Sequence, residues 1–227
     1  MLNDLKSLIE DALCGRCVLN VSRQIGTTTA LCGYAAKMVA NGRIVIYHTD
    51  RSRSRDDVFE KIKKQVSELV TDKTVQIDSK EHMIKVMDAN THGAIEVTYG
   101  DRLCMPSTKH TDMYIVDNAD FFDGWEPWVG KIMDYNTKVI IASCPSEFTG
   151  HWSLFKKLYV KDLYTWKAFT LNTVYDSKLK DTLSSEKYDI ECNNYRSFFD
   201  TASKIYKNIG DLLFMENKPF YENARIV

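Results

Sequence analysis

The chain has 227 residues, of which 44% are hydrophobic and 27% charged, and its formal net charge is −1. These proportions predict a packed soluble globule, and they exclude the overall basic excess that would by itself indicate nucleic-acid binding. No apolar run approaches the roughly 18–20 residues of a membrane span, and the acidic, amphipathic N-terminus differs from a secretory signal.

The N-terminal segment of the chain, up to residue 47, alternates predicted helices and strands. Apolar spacing predicts a helix over residues 4–13 and a strand over residues 17–22. After a short polar turn, apolar residues at helical spacing predict a second helix that stops at Asn41-Gly42. β-Branched and aromatic residues then predict a short strand over 43–47. This alternation is typical of α/β proteins.

The middle of the chain continues the alternation. Residues 49–55 form a predicted loop rich in serine and arginine, and Asp56 is the predicted N-cap of a helix over 57–70. The residues on the predicted buried side of this helix are Phe59, Ile62, Val66 and Leu69. Residues 83–87 and 94–99 are predicted to pair as strands across a turn.

Three further strands are predicted in the second half. Apolar runs place two of them at 113–116 and 138–142, and alternating residues place the last at 166–171, with helices between them. Because most of these strands are apolar throughout, we predict an α/β fold with a mostly parallel sheet and helices on both faces. We predict that this core spans residues 1–175, and that residues 176–227 form a small helical lobe.

The cysteines and histidines do not indicate a metal site. Cys14-Gly-Arg-Cys17 is a single CxxC pair, for which a helix-to-strand turn with two thiols is a better interpretation than a metal or redox site. The six cysteines are scattered through segments that look buried, so we expect them to be reduced in an intracellular compartment. The five histidines show no metal-ligand spacing.

Polar residues follow three of the predicted strands. In a mostly parallel sheet, the carboxyl ends of the strands carry the ligand site. Loop 22–28 precedes a helix N-terminus whose backbone N–H groups would hold phosphates, and the Thr28 hydroxyl would bind Mg²⁺. Asp117 would hold Mg²⁺ through water, and Ser143-Cys-Pro-Ser146 would sense the γ-phosphate. Each segment also fits a plain structural role, as a common strand–turn–helix, a turn and a strand end.

The segment Ser22-Arg-Gln-Ile-Gly-Thr-Thr-Thr29 resembles the phosphate loop of the large terminase subunit, the DNA-packaging motor of tailed phages. That family's loop commonly reads Ser-Arg-Gln-x-Gly-Lys-Thr-Thr. The order of the later predicted segments is similar to the family's over about residues 4–170. The resemblance implies a RecA/ASCE-like P-loop NTPase fold. The nucleotide-binding residues that it implies are Ser22, Arg23, Gln24, Ile25, Gly26, Thr27, Thr28 and Thr29.

The resemblance also implies roles for the later motifs. Asp117 and Asn118 occupy the catalytic positions, and Thr28 and Asp117 are the implied Mg²⁺ residues, so ATP and Mg²⁺ are the implied cofactors. The motif that couples ATP to DNA movement in the family matches Ser143, Cys144 and Pro145.

Several departures separate this chain from that family. Thr27 stands where the family has the lysine that neutralises the β- and γ-phosphates and the developing charge. The family's strand ends in two adjacent acids, one for the metal and one that polarises water. Here Asp117 stands between Val116 and Asn118, so one acid is missing on either alignment. The family's adenine-reading glutamine lies upstream of the first matching helix and its nuclease domain follows the ATPase domain, and we expect this chain to contain neither.

Other cations are candidates for the missing charge. Arg102 and Lys109 lie in the segment before the Asp117 strand, where the family places a mobile catalytic arginine, and both also fit as solvated loop charges. Arg23 accompanies the lysine in the family, and Lys37 is predicted to point away, so neither is an obvious replacement.

The stretch Arg51-Ser-Arg-Ser-Arg55 is a candidate contact with DNA phosphates. Its basic residues are Arg51, Arg53 and Arg55. The alternative is a solvated loop whose charge is balanced by Asp50, Asp56 and Asp57.

Two functional hypotheses follow. The first is a terminase-like phage protein that is catalytically degenerate and binds ATP and Mg²⁺ weakly or not at all. It would act in the cytoplasm of an infected bacterium, through a phage or host protein partner or through DNA. The second is an active DNA-packaging ATPase that takes its missing cation from a neighbouring subunit of an oligomer. A deliberately disabled loop is a third explanation, but alanine is the usual replacement for that purpose.

Overall fold

The computed structural model describes residues 16–21, 26–100, 111–119, 137–143 and 167–171. The strands in these residues are β1 (Arg16–Val21), β2 (Ile44–Thr49), β3 (Thr74–Asp78), β4 (Met83–Met87), β5 (His92–Tyr99), β6 (Met113–Asp117), β7 (Lys138–Ser143) and β8 (Lys167–Leu171). The helices are α1 (Thr27–Ala40) and α2 (Ser52–Leu69). The predicted helix at 4–13 and the predicted lobe at 176–227 lie outside the described residues. Within the described ranges, no helix has the length and apolar character needed to cross a membrane.

The described strands form one sheet in the order β3-β4-β5-β2-β6-β7-β1-β8. From β5 to β8 in this order, every neighbouring pair is parallel. The pairs β3–β4 and β4–β5 are antiparallel and extend one edge. The mostly parallel α/β sheet predicted from the sequence is confirmed. Strand β7 separates β1, which leads into the predicted phosphate loop, from β6, which carries Asp117.

The central strands are buried on both faces. Tyr47 of β2 pairs with Ile115 of β6, and both are fully buried in the core shared with Leu31 of α1 and Ile62 of α2. Because side chains alternate between the faces of a strand, Tyr114 lies on the opposite face from Ile115, and it is 1% exposed. Burial on both faces explains why these strands are apolar throughout in the sequence.

Helix α1 begins where the predicted phosphate loop ends. Its N-cap, Gly26, has φ 86° and ψ 21°, a left-handed conformation that glycine adopts without a steric penalty. Asn41-Gly42 ends the helix, and Gly42 has φ 79°, so the predicted stop is confirmed. The helix lies very close to β5, because a Cβ built on Gly93 would overlap the carbonyl oxygen of Val39.

The start of α2 corrects the sequence prediction. The helix begins at Ser52 and not at residue 57, so the predicted loop 49–55 is largely its first turn. The Arg55 N–H donates to the Arg51 carbonyl oxygen at 2.9 Å, which is the first helical hydrogen bond. Neither glycine nor proline interrupts this stretch and arginine favours helices, so nothing in it opposes an earlier start.

Two side chains of α2 also differ from prediction. Asp56 is not a cap, since its Oδ1 contacts Nε2 of His82 at 2.9 Å. Leu69, predicted to be buried, is 54% exposed at the end of the helix, and Val70 directly after it is buried instead. Phe59, Ile62 and Val66 are buried as predicted.

Strand β3 is not predicted by the sequence. Four of its five residues are exposed, so Thr74–Asp78 contains no apolar run that marks a strand. It is held by antiparallel pairing with β4, in which Ile77 lies opposite Ile84. Strand β5 begins at His92, two residues before the predicted start, and pairs with β4 as predicted.

His48 is a buried histidine from which we expect a pH-dependent stability. The ring is 1% exposed and lies 2.7 Å from the Thr98 hydroxyl and 3.1 Å from the Gly100 carbonyl oxygen, so the tautomer protonated at Nε2 satisfies both contacts. Burial lowers its pKa from the ordinary value of 6.5, and the hydrogen bond to Gly100 opposes this. Protonation therefore favours the unfolded chain. The free energy of unfolding should be highest above about pH 6.5 and fall as the pH drops toward the lowered pKa.

His48→Gln should flatten this dependence, because glutamine has no proton to gain. Urea unfolding of both proteins between about pH 7.5 and about pH 5.5 measures the difference, and this window avoids most carboxylate titration. Equal slopes of the urea midpoint against pH would show that His48 does not contribute.

Candidate functional site

The carboxyl ends of four parallel strands meet at one edge of the sheet. Helix α1 begins shortly after β1, Asp50 follows β2, Asp117 ends β6 and Ser143 ends β7. This is the edge at which open α/β sheets bind ligands. Ser143 is buried and its backbone lies opposite Asn20 of β1. The other members of the predicted coupling motif, Cys144 and Pro145, lie outside the described residues.

Asp117 is the centre of a buried hydrogen-bond network. The Thr28 hydroxyl donates to its Oδ2 atom at 2.8 Å, and the Tyr47 hydroxyl donates to the same oxygen at 2.9 Å. The Asn118 backbone N–H donates to Oδ1 at 3.1 Å. The structure thus brings together Thr28 and Asp117, which are 89 residues apart in the sequence. Tyr47 joins them although the sequence did not identify it.

Burial dominates the electrostatics of this network. It raises the pKa of the Asp117 carboxyl, while the hydrogen bonds from Thr28, Tyr47 and Asn118 act in the opposite direction. Burial followed by the charge of Asp117 raises the pKa of Tyr47 well above 10.0 and that of Cys32 to about 12. At neutral pH, Tyr47 therefore stays a hydrogen-bond donor and Cys32 stays a thiol.

Thr27 is the first residue of α1, at the position where the resemblance predicts a lysine. Its Oγ1 atom is buried and makes no hydrogen bond with any described part of the chain. The side chain is neutral and short, so it adds no charge at the N-terminus of α1. Thr29, two residues further along α1, is exposed. The remaining loop residues, Ser22, Arg23, Gln24 and Ile25, lie outside the described residues.

Asn118 connects Asp117 to a second carboxylate. It has φ 58°, a left-handed conformation that asparagine tolerates better than most residues. Its Nδ2 atom donates to Oδ1 of Asp50 at 3.2 Å, and Oδ2 of Asp50 pairs with Nε of Arg51 at 3.2 Å. An acidic side chain thus reaches the site from the residue after β2, although the residue directly after Asp117 is not an acid.

Neither Tyr47 nor Asp50 was identified as a site residue from the sequence. Tyr47 looks like one more apolar residue of a buried strand, and Asp50 looks like a counter-ion for the arginines that follow. Only their position marks Tyr47 and Asp50 as site residues. Both lie at the carboxyl end of β2, and the sheet order places β2 beside β6. That order is not visible in local sequence.

The arginines of the 51–55 stretch differ in their contacts and exposure. The Arg51 side chain is 72% exposed while it pairs with Asp50. The Arg55 guanidinium lies 4.6 Å from the centre of the Tyr99 ring and pairs with Asp56 at 3.1 Å. Arg53 is exposed. The other candidate cations, Arg102 and Lys109, lie outside the described residues.

The oxygen atoms of Thr28 and Asp117 suit a hard cation such as Mg²⁺. In the described part of the chain, no group of three or more His, Cys, Asp or Glu side chains could hold a metal ion. A cation here would therefore need phosphate oxygens and water to complete its coordination, as is usual for Mg²⁺.

Comparisons with known proteins identify the fold. No protein-family model matches the sequence, and no curated protein sequence matches it either. Among solved structures, the large terminase ATPase domain of Thermus phage P74-26 matches over 82% of this chain and 90% of its own length, with 13% identity and a TM-score of 0.60. The chain has the fold of a large terminase ATPase domain. This is a P-loop NTPase fold, as the resemblance implied.

Two whole large terminases share the terminase ATPase fold with this chain. The large terminase of a thermophilic bacteriophage matches over 82% of this chain with 13% identity and a TM-score of 0.57. The HK97 bacteriophage protein matches over 72% with 12% identity and a TM-score of 0.53. The chain spans 47% of the thermophilic phage protein and 36% of the HK97 protein. The thermophilic phage terminase has been solved in complex with ADP and with ATP-γ-S.

Proposed function

We propose that this chain is a phage protein with the terminase ATPase fold in which ATP hydrolysis has been lost, and that it acts through a protein partner or DNA. The observation that carries the proposal is Thr27. A neutral hydroxyl, buried and without a hydrogen-bond partner in the described residues, lies where the resemblance expects the lysine that contacts the phosphates.

The expected loss of transition-state stabilisation supports the proposal that ATP hydrolysis has been lost. A hydrogen bond to a charged group contributes about 1.5–3 kcal/mol, against about 0.5–1.5 kcal/mol between neutral groups. Removing one positioned group that stabilises a transition state costs about 2.7–4 kcal/mol, which is two to three orders of magnitude in rate. Asn118 adds to this loss, because an amide cannot accept a proton from the attacking water.

We propose that any remaining nucleotide site uses Thr28 and Asp117 for Mg²⁺ and residues 22–29 for the phosphates. Bound Mg²⁺ would neutralise charge on the β- and γ-phosphates. The backbone N–H groups at the start of α1 would hold phosphate oxygens, and Gly26 would let them approach closely. We expect ATP and Mg²⁺ to bind weakly or not at all, since no lysine adds its charge to this cradle.

A specific observation favours the alternative, an active DNA-packaging ATPase. Asp50 brings a carboxylate to Asn118, beside the residue that would hold Mg²⁺. Its charge also raises the pKa of Asp117, so the two carboxylates are close enough to interact. In this alternative, Asp50 would polarise water, and the missing cation would come from Arg102, Lys109 or a neighbouring subunit of an oligomer.

A steady-state ATPase assay at high protein concentration, with and without DNA, separates the two. The degenerate protein should show no turnover above that of Asp117→Ala in either condition. DNA-stimulated turnover that disappears in both Asp117→Ala and Asp50→Asn would replace this proposal with the active ATPase. Turnover that survives Asp117→Ala would indicate a contaminating enzyme.

We propose Arg51, Arg53 and Arg55 as contacts with DNA phosphates. Replacing all three by glutamine should weaken DNA binding and reduce the slope of log K against log salt by about 0.9 for each phosphate that is no longer neutralised. Lys64→Gln is the matched control, because the side chain is a 79% exposed cation further along the same helix. If both variants bind DNA equally well across salt concentrations, these arginines are solvated surface charges.

We propose the cytoplasm of an infected bacterium as the place of action, with a phage or host protein as partner. The division into a core at 1–175 and a helical lobe at 176–227 is part of the same proposal. Limited proteolysis that releases a stable fragment ending near residue 175 would support the division, and cleavage first within the sheet would contradict it.

A further inference from the structure

We propose that the Tyr47 hydroxyl determines whether Asp117 can bind Mg²⁺. Tyr47 donates to the same carboxylate oxygen as Thr28, and this hydrogen bond competes with Mg²⁺ and its bound water for Asp117. The inference rests on the proposed function for one point, the assignment of Asp117 to Mg²⁺.

Little of the Asp117 carboxylate is left for a metal. An ionised carboxylate accepts about four hydrogen bonds, two at each oxygen. Thr28 and Tyr47 both donate to Oδ2, at 2.8 Å and 2.9 Å, and the Asn118 backbone N–H donates to Oδ1 at 3.1 Å. About one acceptor position remains, on Oδ1, for Mg²⁺ or for water that it carries.

The two hydroxyls differ in how they affect a cation. When Thr28 donates its proton to Asp117, its own oxygen keeps lone pairs that can bind Mg²⁺ at the start of α1. Tyr47 approaches from inside the core, where its ring is fully buried, so its hydroxyl takes an acceptor position of Asp117 and offers no lone pair of its own to a cation. Thr28 is thus compatible with a bound metal, while Tyr47 competes with one.

Tyr47 cannot easily leave Asp117. Its backbone pairs with Ile115 of β6, two residues before the carboxylate, so strand pairing fixes the distance between the two side chains. The ring belongs to the core between the sheet and the helices. Moving the hydroxyl away would open this core and leave a buried donor without a partner, which costs about 1–3 kcal/mol.

Tyr114 offers a matched control. It lies on β6 beside β2 and is 1% exposed, but it is on the opposite face of the sheet from Asp117. Tyr114→Phe and Tyr47→Phe each remove one buried phenolic hydroxyl from neighbouring strands. Only Tyr47→Phe removes a donor to Asp117.

Calorimetric titration of the full chain with MgCl₂ and with Mg-ADP tests the inference. Tyr47→Phe should bind Mg²⁺ and Mg-ADP about tenfold more tightly than the native protein, and Tyr114→Phe should bind as the native protein does. Unchanged affinity in a folded Tyr47→Phe protein, or an equal gain in both variants, would overturn it.

A second comparison does not require Tyr47→Phe to fold. If Tyr47 already keeps Mg²⁺ from Asp117, then Asp117→Asn should change the Mg²⁺ affinity of the chain less than twofold. A loss of tenfold or more would show that Asp117 binds the metal with Tyr47 in place, and the inference would fail.

The ATPase assay keeps this inference distinct from the proposed function. Turnover by the native protein, together with tighter Mg²⁺ binding by Tyr47→Phe, would overturn the degenerate function and leave the role of Tyr47 standing. An inactive native protein whose Mg²⁺ affinity does not respond to Tyr47→Phe would support the degenerate function and overturn the role of Tyr47.

Discussion

Thr27→Lys is expected to raise the affinity for Mg-ADP and Mg-ATP by about tenfold. The substitution replaces a neutral hydroxyl with an ammonium group at the start of α1, and the difference between a charged and a neutral hydrogen bond is about 1–1.5 kcal/mol. Phosphate oxygens at this helix N-terminus would be its partners. Calorimetric titration of both proteins with each nucleotide measures the change.

Thr27→Val is the matched control for shape. It should not improve nucleotide binding, and it should raise the free energy of unfolding by about 1 kcal/mol, because it removes a buried hydroxyl that has no partner in the described residues. Urea unfolding measures this second effect. A drop in stability would show that the hydroxyl makes a stabilising contact.

The three outcomes of the nucleotide titration have different meanings. Micromolar binding by the native protein would show that the loop still holds phosphates without lysine, and would favour the active ATPase. A silent native protein and a binding Thr27→Lys variant would show an intact pocket that lacks only the charge. If neither protein binds, the loop only connects β1 to α1, and the function depends on partners.

Gly93→Ala is expected to lower the free energy of unfolding by about 3 kcal/mol or more. A Cβ at this position would overlap the carbonyl group of Val39, which is backbone in the last turn of α1 and cannot rotate away as a side chain would. The helix would have to move off β5, which disrupts packing beyond the usual cost of an extra methyl group in a core. Because the free energy of unfolding of a typical protein is about 5–15 kcal/mol, the thermal midpoint of unfolding should fall by many degrees.

Gly33→Ala, on helix α1, is the control for Gly93→Ala on strand β5. A Cβ there would meet only the Gln65 side chain, at 3.6 Å, which is an ordinary contact. Because alanine is favoured over glycine in a helix by about 1 kcal/mol, this variant should be more stable than the native protein. Equal stability of the two variants would contradict the close approach of α1 to β5.

Most of the sheet could be predicted because its strands are buried on both faces. Strand β6 is apolar until Asp117; its predicted start is confirmed, and it ends one residue later than predicted, at Asp117. Strand β3 could not be predicted, since four of its five residues are exposed and it is held by pairing with β4, with only Val75 packed against the core. The start of α2 is not predicted by its serines and arginines, which resemble a polar loop although they do not oppose a helix.

The sequence predicts the site residues that directly follow a predicted element, but not those whose position depends on the order of strands in the sheet. Thr28 and Asp117 come directly after a predicted strand or loop, and the rule that parallel strands end at one edge places them together. Tyr47 and Asp50 depend on two further facts, the adjacency of β2 to β6 and the register that sets Tyr47 opposite Ile115. Local sequence contains neither.

The burial of Cys32 makes this residue a reporter of local opening. Its sulfur is fully buried in α1, 4.0 Å from the Val58 carbonyl oxygen, and a thiol with a pKa of about 12 carries almost no reactive thiolate at neutral pH. Alkylation of Cys32, followed by peptide mass spectrometry, should therefore proceed only when α1 separates from α2. Its rate with and without nucleotide, DNA or a partner would measure how strongly each ligand closes the molecule around Asp117. Rapid alkylation of the native protein without denaturant would contradict this burial.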